Sequence, residues 1–334
     1  MQWYYGFDFG SDSVRTVDAS GEIGSEAAWA ATRGDEANPF AWGDRAYAFL
    51  GRENKNVRLE RCMRGGVPEN PELMRKWVLR ALSGADRSVL RRRRALIAVS
   101  REVATGVREH MINTVLSEGM DMVGVVCMDM LHALGCELDV MGDRGVFSLD
   151  MGASRMTFSV IAGGRCLRTR TLPYGMDRAD ENIMDRVREA EGVIVSRRVA
   201  RLLKHSAFSG MGREVKLPVF DPYTRLPKFM QLDPEIAQSS LNEIVSGVLE
   251  LCKSAIGGLS PELNEDLEAG GIVLSGGGSL LGGLDVCLSE ELKLPVSVAE
   301  DPVNAAARGL KLILKQPELF SPLIVDWREG ALRL

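Results

Sequence analysis

The sequence predicts an α/β fold in two related halves that face one ligand from opposite sides. Three observations predict it. An apolar strand ends in Asp8-Phe9-Gly10-Ser11 and returns as a second strand, and the arrangement recurs at Asp150-Met151-Gly152-Ala153-Ser154. A second kind of element, the apolar run Gly271 to Ser275, enters three consecutive glycines and then an amphipathic helix. Between these landmarks, apolar runs of strand length alternate with segments of helical periodicity.

The first strand is Trp3 to Phe9. Gly10 to Asp12 turns it back into Ser13 to Asp18, and Ser20-Gly21 closes the next turn. This is a hairpin, not the strand-to-helix unit of a dinucleotide fold. Residues 26 to 66 read as mixed and irregular. Leu73, Trp77, Val78 and Ala81 share one face of a helix from Pro71 to Leu82. Ala95 to Val99 is a buried strand, Glu102 to Leu116 a helix, Val123 to Cys127 a strand and Asp129 to Leu138 a helix. The second half opens with strands at Gly145 to Asp150, Met156 to Ala162 and Cys166 to Leu172, the last two joined by a Gly163-Gly164 turn. Helices follow at Ala179 to Glu191 and Ser196 to His205. Residues 209 to 234, with Pro218, Pro222, Pro227 and Pro234, read as turns. Glu235 to Ile256 is a long amphipathic helix, and Val303 to Leu314 closes the chain after Pro302.

At 334 residues, 45% apolar and 26% charged, the chain is long enough for two globular domains. Its net charge of -5 argues against a nucleic-acid partner. Cys62, Cys127, Cys136, Cys166, Cys252 and Cys287 are scattered, with no CxxC pair, and read as reduced thiols of a cytosolic protein. With the histidines also dispersed, a structural zinc site is not expected. The chain opens directly into its first strand, without a basic region and apolar run, and no apolar stretch reaches membrane-spanning length. The expected location is the cytoplasm, with peripheral membrane contact left open.

Each Asp-x-Gly turn sets a carboxylate at a strand end beside the N–H donors of a tight turn. Two such turns facing each other suit a phosphate chain, with Asp8 and Asp150 near a hydrated Mg²⁺ that keeps its waters. Gly10 and Gly152 shape the turns, and Ser11, Ser13 and Ser154 add hydroxyls. Gly276, Gly277, Gly278 and Ser279 suit the nucleoside side, where backbone without Cβ atoms approaches a ligand closely. No Walker A sequence is present.

The order and spacing of these elements resemble the actin/heat-shock-70/sugar-kinase ATPase superfamily. Within it, the chain is most similar to the bacterial rod-shape-determining actins of the MreB/Mbl family. The resemblance is nearly end to end. It is strongest from Pro261-Glu262-Leu263 through Gly271-Ile272-Val273-Leu274-Ser275-Gly276-Gly277-Gly278 to Leu294-Pro295-Val296 and Ala299-Glu300-Asp301-Pro302. Leu226-Pro227-Lys228 also looks like that branch. The resemblance implies an actin-like two-lobed fold, with duplicated ribonuclease-H-like domains around a nucleotide cleft. Residues 1–145 form the first lobe, with a small insertion at about 28–95. Residues 146–334 form the second, with a small subdomain at about 180–245 and a final helix packing back toward the first. It further implies ATP or ADP with Mg²⁺, self-association into filaments at the inner membrane, and cell-shape or wall-synthesis partners.

The departures from the family fall on the chemistry. The second loop, rich in glycine and threonine in the family, reads Gly152-Ala153-Ser154-Arg155-Met156. The family's Glu-Glu-Pro segment, which carries the glutamate that orients the attacking water, is Cys127-Met128-Asp129. Asp129 has two readings: the substitute group that orients the water, and the N-cap of the helix from Met130. Family glutamates become Arg197 and Arg201, while Lys204 is retained; Arg201 and Lys204 are candidates for the nucleoside pocket. These replacements point to weakened hydrolysis on a retained filament scaffold.

Arg87 and Arg91 to Arg94 flank Val89-Leu90, a match to an apolar loop that inserts at the membrane in some relatives. Trp3, Tyr4 and Tyr5 would assist if exposed; the alternative places Tyr4 and Tyr5 in the first core strand. Two other functions compete with the filament: a non-polymerising actin-like adaptor for membrane or assembly proteins, and a small-molecule kinase of the same superfamily.

Overall fold

The computed structural model describes residues 1–34, 36, 38–53, 55–83, 93–208 and 216–326. Tyr5–Phe9 (β1) is buried along its whole length, as a near-continuous apolar run at a sheet centre must be. Ser13–Val17 (β2) returns antiparallel and sets Arg15 opposite Asp8, and Ile23–Ala27 (β3) extends the meander. Trp29–Arg33 (β4), Ala41–Trp42 (β5) and Val57–Arg61 (β6) make a separate three-stranded sheet, with Gly43–Tyr47 (α1) beside it. Met63–Arg64 (β7) and Val67–Pro68 (β8) form a short ladder. The stretch expected to be mixed and irregular therefore holds a small ordered sheet and a short helix. Its strands are short, and the Ala-Ala centre of β4 is buried on both faces, so no alternation betrays it.

Pro71–Ser83 (α2) leads to Arg94–Val99 (β9), which lies parallel to β1. Thr105–Ser117 (α3) crosses over to Met122–Cys127 (β10), parallel to β9. Met128–Gly135 (α4) follows. The pattern then restarts. Val146–Met151 (β11), Met156–Ala162 (β12) and Arg165–Leu172 (β13) form an antiparallel meander. Met176–Glu191 (α5) ends at Gly192, whose φ of 64° is left-handed. Arg197–Phe208 (α6), the hairpin Lys216–Asp221 (β14) and Leu226–Gln231 (β15), and Pro234–Ile256 (α7) come next. The Asp233 carboxylate accepts from the Glu235 N–H, and Pro234 starts α7 where no N–H is needed. Pro261–Gly270 (α8) starts the same way behind Ser260. Ile272–Ser275 (β16) lies parallel to β11; Leu284–Leu292 (α9) then precedes Val296–Val298 (β17), parallel to β16. Ala305–Lys315 (α10) and Ile324–Asp326 (β18), antiparallel to β10, complete the described chain.

The two large sheets run β18-β10-β9-β1-β2-β3 and β13-β12-β11-β16-β17. From the central β1 or β11, each has an antiparallel meander on one side and two parallel strands on the other, to which the first sheet adds the antiparallel edge strand β18. The same topology is thus used twice. Leu310, Ile313 and Leu314 of α10 share a core with Trp3, Val17, Leu96 and Ala98 of the first sheet and with Leu131 and Leu134 of α4. The helices α4 and α10 meet through glycine. A Cβ on Gly135 would lie 1.7 Å from the Ala305 carbonyl oxygen, and one on Gly309 would lie 2.3 Å from that of Leu131.

One further expectation changes, and one open choice is decided. Residues 216–231 form a hairpin where proline suggested only turns. Both strands of a two-stranded ribbon are edges, so Pro218 opposite Phe229 and Pro227 opposite Phe220 cost no central ladder bond. Trp3 and Tyr5 are buried and Tyr4 is half-buried, so the N-terminal aromatics belong to the core and offer no exposed anchor. Arg87, Val89, Leu90, Arg91 and Arg92 lie outside the described residues.

Candidate functional site

The two Asp-x-Gly turns are built alike. The Gly10 N–H donates to the Ser13 carbonyl at 3.1 Å, and the Gly152 N–H to the Arg155 carbonyl at 2.9 Å. A Cβ would lie 2.6 Å from the Ser13 oxygen at Gly10 and 2.9 Å from the Arg155 oxygen at Gly152, so each turn closes only around glycine. Parallel pairing of β11 with β16 then brings the third loop alongside the second. Gly276 has a φ of 78°, and a Cβ there would lie 2.5 Å from Asp150 Oδ1. Gly277, by contrast, has open space around its Cβ position.

These loops line one cavity of about 360 Å³, a volume suited to a small-molecule ligand. Asp8, Gly10, Ser11, Ser13, Asp150, Gly152, Ser154, Gly276, Gly277 and Gly278 all reach it, as do Arg201 and Lys204. Ser279 does not. It is buried, and its hydroxyl donates back to the Gly276 carbonyl at 2.7 Å, bracing the loop. In the second turn, Ser154 Oγ and Asp150 Oδ1 are buried without a hydrogen-bond partner. Buried polar atoms are ordinarily paired, so two together in a cleft wall mark a place for a ligand or its waters.

Asp129 lies elsewhere. The helix α4 begins at Met128 behind Cys127, so Asp129 sits inside the first turn and is not the N-cap. Its carboxylate is aimed at Thr169 Oγ1 (3.4 Å), Cys127 Sγ (3.6 Å) and Cys166 Sγ (3.8 Å), and it does not line the cavity. Burial raises its pKa above the ordinary carboxylate value, against the opposing pull of Cys127, His132 and Arg155. The same helix presents Met128 and His132 to the cleft. His132 Nδ1 is 3.1 Å from Ser275 Oγ and 3.4 Å from Asp150 Oδ1. Sequence reasoning passed over His132, although its spacing of four from Met128 places both on one helical face.

Charge also crosses the cleft near α5 and α6. Arg201 donates to Asp12 Oδ1 at 2.8 Å, to the Tyr47 hydroxyl at 3.0 Å and to Asp180 Oδ2 at 3.0 Å. Burial works against its charge, but Asp12, Tyr47 and Asp180 outweigh it and raise its pKa. Lys204 Nζ donates to Asp180 Oδ1 at 2.6 Å. Arg61, stacked 4.4 Å over Trp29, pairs with Asp177, which Arg197 also approaches at 3.2 Å. Burial pushes Asp177 up, but Arg61, Arg197 and Arg201 together hold it below the ordinary carboxylate value.

The carboxylates assigned to hydrated Mg²⁺ differ in state. Asp8 is buried and receives Arg15 Nη1 on Oδ2 at 3.2 Å, while Arg15 Nε donates to Asn304 at 3.1 Å. Asp150 keeps an oxygen without a hydrogen bond. One of the two negative charges is thus already matched by a guanidinium, and the pair does not fit the expected magnesium site. Among the described residues, no three His, Cys, Asp or Glu side chains group to hold a metal directly.

A family model described as MreB/Mbl protein matches residues 4–321. The cell shape-determining protein MreB of Escherichia coli (strain K12) is 28% identical over 303 residues, covering 88% of this chain and 87% of the relative. The crystal structure of MreB5 of Spiroplasma citri bound to ADP superposes with a TM-score of 0.86 at 21% identity, over 94% of this chain and 96% of that one. A MamK double helical filament gives a TM-score of 0.76 at 18% identity, over 94% and 98%. The fold is the actin-like two-lobed one that the sequence led us to expect.

Proposed function

Because the chain belongs to the MreB/Mbl protein family, we propose that it is a cytoskeletal protein that binds ATP or ADP in the cleft and assembles head-to-tail into filaments. The observation that carries this is the convergence of three glycine-shaped loops on one cavity, with Ser154 Oγ left without a hydrogen bond in its wall and Asp150 Oδ1 approached only by His132 at 3.4 Å. The loops of Gly10 and Gly152 suit the phosphates, and Gly276 to Gly278 the nucleoside. The structural relative MreB5 is bound to ADP, and the relative MamK forms a double helical filament.

Hydrolysis in this reading is slow. A γ-phosphoryl group is attacked by a water that a side chain must orient at hydrogen-bond distance. The family's glutamate segment is Cys127-Met128-Asp129 here, Asp129 is buried against Thr169 and does not line the cleft, and Met128 lines it without a polar atom able to orient water. Assembly needs binding and packing rather than turnover.

The surface we assign to a second copy is the outer face of the β14–β15 hairpin. Cross-strand pairing puts Pro218, Phe220, Pro227 and Phe229 on one face, with Ile194 bridged to Phe220. Phe229 is 75% and Phe220 41% exposed, and Lys216 lies at the end of the same face. A head-to-tail contact joins two different patches and propagates without closure. We place the filament at the inner face of the membrane through Val89, Leu90 and the neighbouring arginines, on the sequence pattern alone. Among the described residues no helix is long and apolar enough to cross a membrane.

The runner-up is a non-polymerising adaptor, favoured by the cleft's own cross-links from Arg201 and Arg61. Electron microscopy of the purified protein without nucleotide, with ATP, with ADP and with a non-hydrolysable analogue, each with and without anionic liposomes, separates the two. Ordered filaments that depend on nucleotide are expected. A folded protein without filaments in every condition would sink the polymer and leave the adaptor.

A further inference from the structure

The disagreement over magnesium has a structural counterpart in two arginines. Arg15 and Asp8 are register partners on β2 and β1, so the backbone itself holds them face to face. Their ion pair is nearly dry: the side chains are 11% and 5% exposed. The guanidinium is oriented by Asn304, whose amide donates to both oxygens of Asp301. It also flanks the first turn, where a Cβ on Gly10 would lie 3.8 Å from Arg15 Nη1. Arg15 therefore reaches the cavity as a fixed, permanently charged, hydrogen-bonding group beside the very carboxylate assigned to the cation.

The second turn carries its own. Arg155 lines the cavity next to the unpartnered Ser154 Oγ. Asp129 feels its charge, but among the described residues no carboxylate lies within ion-pair distance of it. Each of the two turns that would hold phosphates thus bears one guanidinium. Guanidinium is suited to phosphate because its planar fork offers parallel N–H donors and cannot lose its proton. A divalent cation in this position would have to displace Arg15 from Asp8 or sit beside it and suffer its repulsion.

We propose that Arg15 and Arg155 supply the positive charge that hydrated Mg²⁺ supplies to a phosphate chain, so that this cleft binds nucleotide without requiring a divalent cation. The proposal rests on the nucleotide reading above. It goes beyond it in naming the ligand form: the free nucleoside diphosphate or triphosphate, not only its magnesium complex.

The test is a fluorescence titration of the purified full chain with a mant-labelled ADP, in excess EDTA and in excess MgCl₂. The two affinities are expected to agree within about threefold. Arg15→Gln combined with Arg155→Gln should lower the affinity in EDTA by about tenfold or more, with MgCl₂ restoring most of it. Arg15→Lys, which keeps a charge, should remain metal-independent, and thermal melts establish that each variant is folded. A purely structural Arg15–Asp8 pair would lower stability without making binding depend on metal. Wild-type binding that is lost in EDTA, or a double variant that weakens equally in both solutions, overturns the proposal alone. Absence of binding by wild type in both solutions overturns it together with the nucleotide reading.

Discussion

Arg201 on α6 donates to Asp12 across the cleft at 2.8 Å, joining the second half of the chain to the first Asp-x-Gly turn. The same guanidinium reaches Tyr47 at 3.0 Å, on α1 beside the inserted sheet of the first half. One side chain therefore ties Asp12, α1 and α5 together, and a charge contact is added to the apolar core through which α10 already joins the halves. Asp12 is 46% exposed, so its pair with Arg201 is solvent-screened and worth about 0.5–1 kcal/mol.

A screened latch opens with salt. Raising ionic strength should expand the particle measured by small-angle X-ray scattering, and Arg201→Ala should already be expanded at low salt. A radius of gyration indifferent to both would show that the ion pair does not govern closure.

Asp177 makes stability depend on acid. Its folded pKa is depressed below the ordinary 3.8, because Arg61, Arg197 and Arg201 overcome the cost of burial. The sign follows: its contribution is full above pH 3.8 and is lost as pH falls below that through the depressed folded value. Urea denaturation across that window should show a steeper acid loss for wild type than for Asp177→Asn. Parallel curves would contradict the assignment.

The α4–α10 crossing tolerates no added carbon. Gly135→Ala and Gly309→Ala each force Cβ into a backbone carbonyl, and each should cost about 3 kcal/mol or more by chemical denaturation. Gly106, also helical, has nothing within 4 Å of its Cβ position. Gly106→Ala should be neutral or stabilising by up to about 1 kcal/mol. Equal effects at the three positions would mean that backbone propensity, not the crossing, sets the cost.

The hairpin face can be tested without touching the core. Phe220→Ser with Phe229→Ser should leave the melting temperature nearly unchanged, because both rings are exposed, and should abolish filaments in electron micrographs. Filaments of unaltered abundance would move the contact elsewhere.

What could be read in the chain depended on how local the cause was. The Asp-x-Gly turns of Gly10 and Gly152 and the strand before Gly276 are legible because each is one continuous segment whose residue types answer to its own backbone. Strands β4 to β6 were not, since short buried strands rich in alanine carry no period. Nor was the hairpin at 216–231, whose prolines signalled turns although they sit in ribbon edges.

By itself, then, the sequence determined the duplicated α/β architecture, the family and the three loops of the cleft. Only the tertiary structure decided the charges within it. It set Arg15 against Asp8 by strand register and turned Arg201 onto Asp12, 189 residues away. It buried Asp129 against Thr169 and the cysteines, outside the cavity lining, and set His132 within that lining. The physical reason is that charge pairing depends on separation in space, which no spacing along the chain states until the strands and helices have packed.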